Sequence, residues 1–113
     1  MFNFRKNNLI FEGLEGKQSF KRIGNFLILG HHCFSLKYLS TIDEFYISFM
    51  TKDNDDSNSM VKLYGKESCW AIYAVTPENE FSVCDFSSLE ESQKALEFMV
   101  TEIENYKSNN KKN

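Results

Sequence analysis

The sequence predicts an α+β domain, a strongly bent antiparallel sheet or partly open barrel of about seven strands closed by one C-terminal helix. Three observations lead there. From Leu9 to Phe86 the apolar residues recur mostly at period two, the repeat of a pleated strand. At "DFSSLEESQKALEFMVTEIENYK" the period becomes helical. One proline, Pro77, and five glycines leave long segments without breakers.

The elements follow in order. "NLIFE" and "QSFKRI" flank "GLEG", whose glycines supply turn conformations for a first hairpin. "NFLIL" then leads through Gly30 into a strand over "CFSLKYL". "EFYISFMT" alternates Phe45, Ile47 and Phe49 against Tyr46, Ser48 and Met50. "MVKLYG" places Val61 and Leu63 on one face, beyond the solvated hairpin tip "KDNDDSNS". "CWAIYAVT" is apolar on both faces, the pattern of a central strand, and "FSVCDF" closes the series after the turn "TPENE". A meander of that length curls, because an open sheet leaves edges unpaired and one face uncovered.

The closing helix has an explicit start. Ser88 with Glu91 three residues on forms a capping box, and Glu90 and Glu91 suit the positive end of the helix dipole. Leu89, Ala95, Leu96, Met99, Val100, Ile103 and Tyr106 fall within an arc of ~140° that faces the sheet. Phe98 lies about 130° from the centre of that stripe, among Lys94, Glu91 and Glu102. Residues 1–107 make one domain, and "KSNNKKN" predicts a disordered polar tail over 108–113.

Composition bounds the function. A chain of 113 residues with eleven Phe and five Tyr can bury one core and has no room for a second. The net charge of −3 divides into +4 over residues 1–40 and −7 over 41–113, a dipole able to steer association but short of a nucleic-acid binder's dense basic stripe. Cys33, Cys69 and Cys84, odd in number and widely spaced, read as reduced intracellular thiols. "MFNFRKNNLIF" lacks the apolar core of a signal peptide, and "FLIL" falls far short of the ~20 residues that span a bilayer. The expectation is a soluble, cytoplasmic protein without a membrane partner.

The order of strands and one closing helix resembles the pleckstrin-homology-like superfold. "FLILGHHCFSLKYLSTIDEFYISF" followed by "FSVCDFSSLEESQKALEFM" also resembles small proteins of unassigned function encoded by phages and AT-rich bacteria. The resemblance spans roughly residues 24–107 and is a pattern of elements. The helix lacks the tryptophan usual in eukaryotic pleckstrin-homology domains, since the only Trp is Trp70, in a strand. "KQSFKRI" matches their phosphoinositide-binding pattern only as a loose cluster of Lys17, Lys21 and Arg22. A fold alone does not fix a function.

"GHHCF", residues 30–34, is the one cluster of chemically active side chains. On an unbroken strand His31 and Cys33 share a face and His32 points the other way; if Gly30 makes a turn, both histidines sit at a hairpin tip. A structural zinc site needs four ligands, and no second pair stands nearby, so no metal and no cofactor are expected. "DNDDSNS" lacks the glycine and closing glutamate of a calcium loop, where Asn58 and Tyr64 stand. An enzyme centred on His31, Cys33 or Cys84 is the third choice, and the expectation is no catalytic residue.

The first choice is non-catalytic binding of another protein inside a cell. The resemblance implies a phage or mobile-element inhibitor of a host protein, a defence enzyme among the candidates. The contact surface expected is the helix face bearing Phe98, Lys94, Glu91 and Glu102, with the acidic loop Asp53, Asp55 and Asp56 second. The alternative is a pleckstrin-homology-like ligand or nucleic-acid binder using the basic N-terminal residues Arg5, Lys6, Lys17, Lys21 and Arg22.

Overall fold

The computed structural model describes residues 8–13, 16–51 and 68–111. Among these residues run seven strands, β1 (Asn8–Gly13), β2 (Gly16–Ile23), β3 (Phe26–Leu29), β4 (His32–Ser35), β5 (Glu44–Thr51), β6 (Ser68–Val75) and β7 (Glu80–Phe86). Helices α1 (Leu36–Leu39) and α2 (Leu89–Lys111) accompany them among the described residues. The strand order is β4-β3-β2-β1-β7-β6-β5, with every pairing antiparallel. The order falls into two meanders, four strands and three, whose strand pairing among the described residues meets where Gly13 pairs with Phe86. Expected strand "MVKLYG", residues 60–65, lies outside the described residues.

The sheet is bent and does not close into a barrel, since β4 and β5 stand at opposite ends of the order. Four strand spacings, about 19 Å, would separate β4 from β7 if the sheet were flat. Instead Phe34 of β4 and Phe81 of β7 stack with ring centroids 6.4 Å apart. The four-strand meander therefore folds over the three-strand one. At the junction Phe20 lies 4.9 Å from Phe11 and 5.8 Å from Phe86, an aromatic cluster that holds the two meanders together.

Local chemistry sets the register. Two-residue turns join β2 to β3 through Gly24–Asn25 and β3 to β4 through Gly30–His31, with φ of +60° at Gly24 and +66° at Gly30. Both glycines adopt the left-handed conformation that hairpin turns of this length require. β6 is central in its meander and buries Cys69, Ala71, Ile72 and Ala74, as its two-sided apolar pattern predicts. A bulge at Val83 shifts the β6–β7 register and turns both Val83 and Cys84 inward.

Three expectations need correction. The strand expected over "CFSLKYL" stops at Ser35, whose Oγ accepts a hydrogen bond from the Tyr38 N–H at 2.9 Å and caps α1. The helical turn buries Leu36 and Leu39 together, which an extended chain at that spacing would split between faces. Helix α2 runs on to Lys111 through the segment expected as a disordered tail. An existing helix adds one hydrogen bond for each residue it fixes, and nothing in "KSNNK" breaks it.

The third correction concerns the buried face of α2. Ser88 caps the helix as expected, its Oγ accepting from the Glu91 N–H at 3.1 Å. The buried residues, however, are Ser92, Ala95, Phe98, Met99, Glu102 and Ile103, while Leu89 and Val100 are exposed. On a helical wheel this face is rotated ~60° from the stripe's centre, toward Phe98. The cause is the bend in the sheet. Strand β2 of the folded-over meander reaches the flank of α2 and covers Phe98, whose ring lies 6.4 Å from Phe20.

Candidate functional site

Arg22 lies on β2 two residues beyond Phe20 and so on the same, inward face. Its Nη1 donates to Glu102 Oε1 at 3.1 Å, and its Nε donates to the Gly24 carbonyl at 2.8 Å. Phe98 precedes Glu102 by one helical turn. The two helix residues and Arg22 meet along a groove of about 890 Å³, with Leu9, Lys94 and Asn105 also on its walls. The structure therefore brings together Phe98, Lys94 and Glu102 with Arg22, residues taken from two separate sequence expectations.

It gives them different work. Phe98 is only 8 % exposed and belongs to the core, so it is not a free interface anchor. Glu102 is spent on Arg22, and the Glu91 N–H is held by Ser88 at the helix start. Lys94 alone of this group stands exposed, on the groove's rim. Asp53, Asp55 and Asp56 lie outside the described residues.

The basic cluster is split. Lys17 and Lys21 project from the outer face of β2 and Arg22 from the inner, so the three do not form one patch. Arg5 and Lys6 lie outside the described residues.

The outer face holds what the sequence reading missed. Residues paired across strands share a face, and register places Ile10 opposite Ser19, Lys21 opposite Ile28, and Ile23 opposite Phe26. Ile10, Ile23 and Phe26 are 61 %, 56 % and 50 % exposed. The helices lie on the other side, against the core. The signal for this face was present in the two glycine turns. Once each hairpin loop is two residues long, Ile23 must face Phe26 on the side away from Phe20.

"GHHCF" forms a hairpin tip. Gly30 and His31 make the turn, His32 opens β4, and both histidines and Cys33 are exposed. Among the described residues no three His, Cys, Asp or Glu side chains group in a way that would hold a metal ion. Cys84 is buried and donates its S–H to Gln18 Oε1 at 3.0 Å. Burial, reinforced by neighbouring Asp85, pushes its thiol up to about 12, so at neutral pH it is not the thiolate that nucleophilic chemistry needs. No described helix is long and apolar enough to cross a membrane. The chain matches no family model, no curated protein and no solved structure.

Proposed function

We propose that this protein is a non-enzymatic module that binds another protein inside the cell, through the outer face of the β1–β4 meander. The observation that carries this reading is the set Ile10, Ile23 and Phe26, each half-exposed or more on one side of three adjacent strands. Apolar side chains gathered on one face and rimmed by polar residues are the usual composition of a docking surface. A sheet face already ordered by its register also costs little conformational entropy to engage. The resemblance to small phage and bacterial proteins makes a host protein the partner of choice and its inhibition the outcome. Phe26→Thr combined with Ile23→Thr, which keeps strand-compatible side chains in this cross-strand pair, should leave the melting temperature nearly unchanged and abolish retention of the partner from host lysate. Identical sets of proteins retained by variant and wild type would retire the reading.

A second reading has one observation in its favour: Lys17 and Lys21 share the outer face with Phe26. Charge beside an aromatic ring suits single-stranded nucleic acid. In that case affinity falls steeply with salt, by a log–log slope of about 0.7 for each phosphate contact on a single strand. No binding to oligonucleotides at low salt removes it.

A further inference from the structure

The docking face carries a charge that its partner has to answer, and the inference here rests on the protein-binding reading above. We propose that the surface which docks on the β1–β4 meander is apolar with a carboxylate placed over Lys21. Ile23, Phe26, Ile28 and Lys21 form the corners of one square, two residues on β2 and their register partners on β3. Ile10, on β1, lies diagonally on the far side of Lys21, because it pairs with Ser19 and the neighbouring Asn8 pairs with Lys21. A surface that covers both Ile10 and the Ile23–Phe26 pair must therefore pass over Lys21.

Covering an ammonium strips it of water, which is unfavourable unless an opposite charge takes the water's place. Among the described residues, register places no such charge opposite Lys21. Its cross-strand partners are Asn8 and Ile28, whereas Lys17 is paired in register with Glu12. The same strand shows the rule at work on its other side. Arg22 is covered by α2, and α2 supplies Glu102 at 3.1 Å. A docked partner stands to Lys21 as α2 stands to Arg22. A phosphate would also pair Lys21, but Phe26 is the one aromatic ring beside it and Ile10, Ile23 and Ile28 are aliphatic, so successive bases would have a single stacking platform.

The test is selection of random short peptides, displayed on particles, against the purified full chain. Enriched peptides should carry Asp or Glu among apolar residues, and their binding should be lost on Phe26→Asp. Their affinity should fall about tenfold or more on Lys21→Glu and by less on Lys21→Gln. Selection against the Lys21→Glu protein, its melting temperature unchanged, should enrich Lys or Arg instead. Peptides that need Phe26 but show no acidic preference would overturn the partner chemistry while leaving the docking face standing. Peptides that bind without any dependence on Phe26 would overturn both. Oligonucleotide binding that Lys21→Glu abolishes, with no peptide enriched, would also overturn both.

Discussion

Arg22 and Glu102 lie eighty residues apart in sequence and join β2 to α2 through a 3.1 Å charged hydrogen bond. Their side chains are 19 % and 12 % exposed, so the pair is largely withdrawn from solvent. Removing one partner leaves the other charge poorly solvated, which costs more than the pair itself contributes. Glu102→Ala should therefore destabilise the protein by about 1.5–3 kcal/mol. Arg22→Met with Glu102→Leu should recover much of that loss, since neither charge is left alone. Denaturant unfolding of the three variants checks it, and a double variant no better than Glu102→Ala would refute the account.

Phe98 should behave as a core residue. Its burial against Phe20 predicts that Phe98→Ala costs about 3 kcal/mol, the lower end for a buried phenylalanine because the ring sits at the core's edge. Val100→Ala, two residues on and about 200° around the helix, where the side chain is exposed, should change stability by less than about 0.5 kcal/mol. Equal effects at the two positions would mean that the buried face of α2 has not rotated toward Phe98.

The cysteines should separate by reactivity and by pH. Cys33 is exposed and should be modified at once by a thiol reagent at mildly alkaline pH, while buried Cys69 and Cys84 react only on unfolding. Cys84 titrates at about 12 when folded against a reference of 9.0, so its neutral form is favoured in the native state. The sign follows directly. Its contribution is fully present below pH 9 and is lost as pH rises from there toward 12. Cys84→Ala should thus lower stability at neutral pH yet flatten the alkaline decline, by up to about 1.4 kcal/mol per pH unit. An alkaline slope identical to that of the wild type would count against it.

The two hairpin glycines should differ in cost. Both hold positive φ, which an L side chain adopts at about 1–2 kcal/mol. An added Cβ at Gly24 meets nothing within 4 Å, whereas at Gly30 it would lie 2.9 Å from Gln18 Oε1. Gln18 cannot yield freely, because that oxygen accepts from Cys84. Gly30→Ala should therefore destabilise by about 1 kcal/mol more than Gly24→Ala, the worth of one hydrogen bond. Thermal melts of the two variants compare them directly.

The sequence by itself determined most of the local elements among the described residues, though its period-two pattern ran past Ser35 into the turn of α1 and its polar end concealed the last residues of α2. Period-two runs, the glycines between them and the Ser88 cap are written within a few residues of the structures they specify, and local sterics and hydrogen bonding suffice to enforce them. The central place of β6 was legible for the same reason, since only a strand covered on both faces carries apolar residues on both. The tertiary structure alone decided which side of α2 is buried. That depends on the bend at the Gly13–Phe86 junction, which brings β2 onto the helix flank and draws Phe98 and Glu102 inward. It also decided that Lys21 and Arg22, adjacent in sequence, serve different surfaces, one on the outer face of the sheet and one turned inward against the helix. Such pairings join residues dozens of positions apart, and no local spacing encodes the fold of one meander over the other.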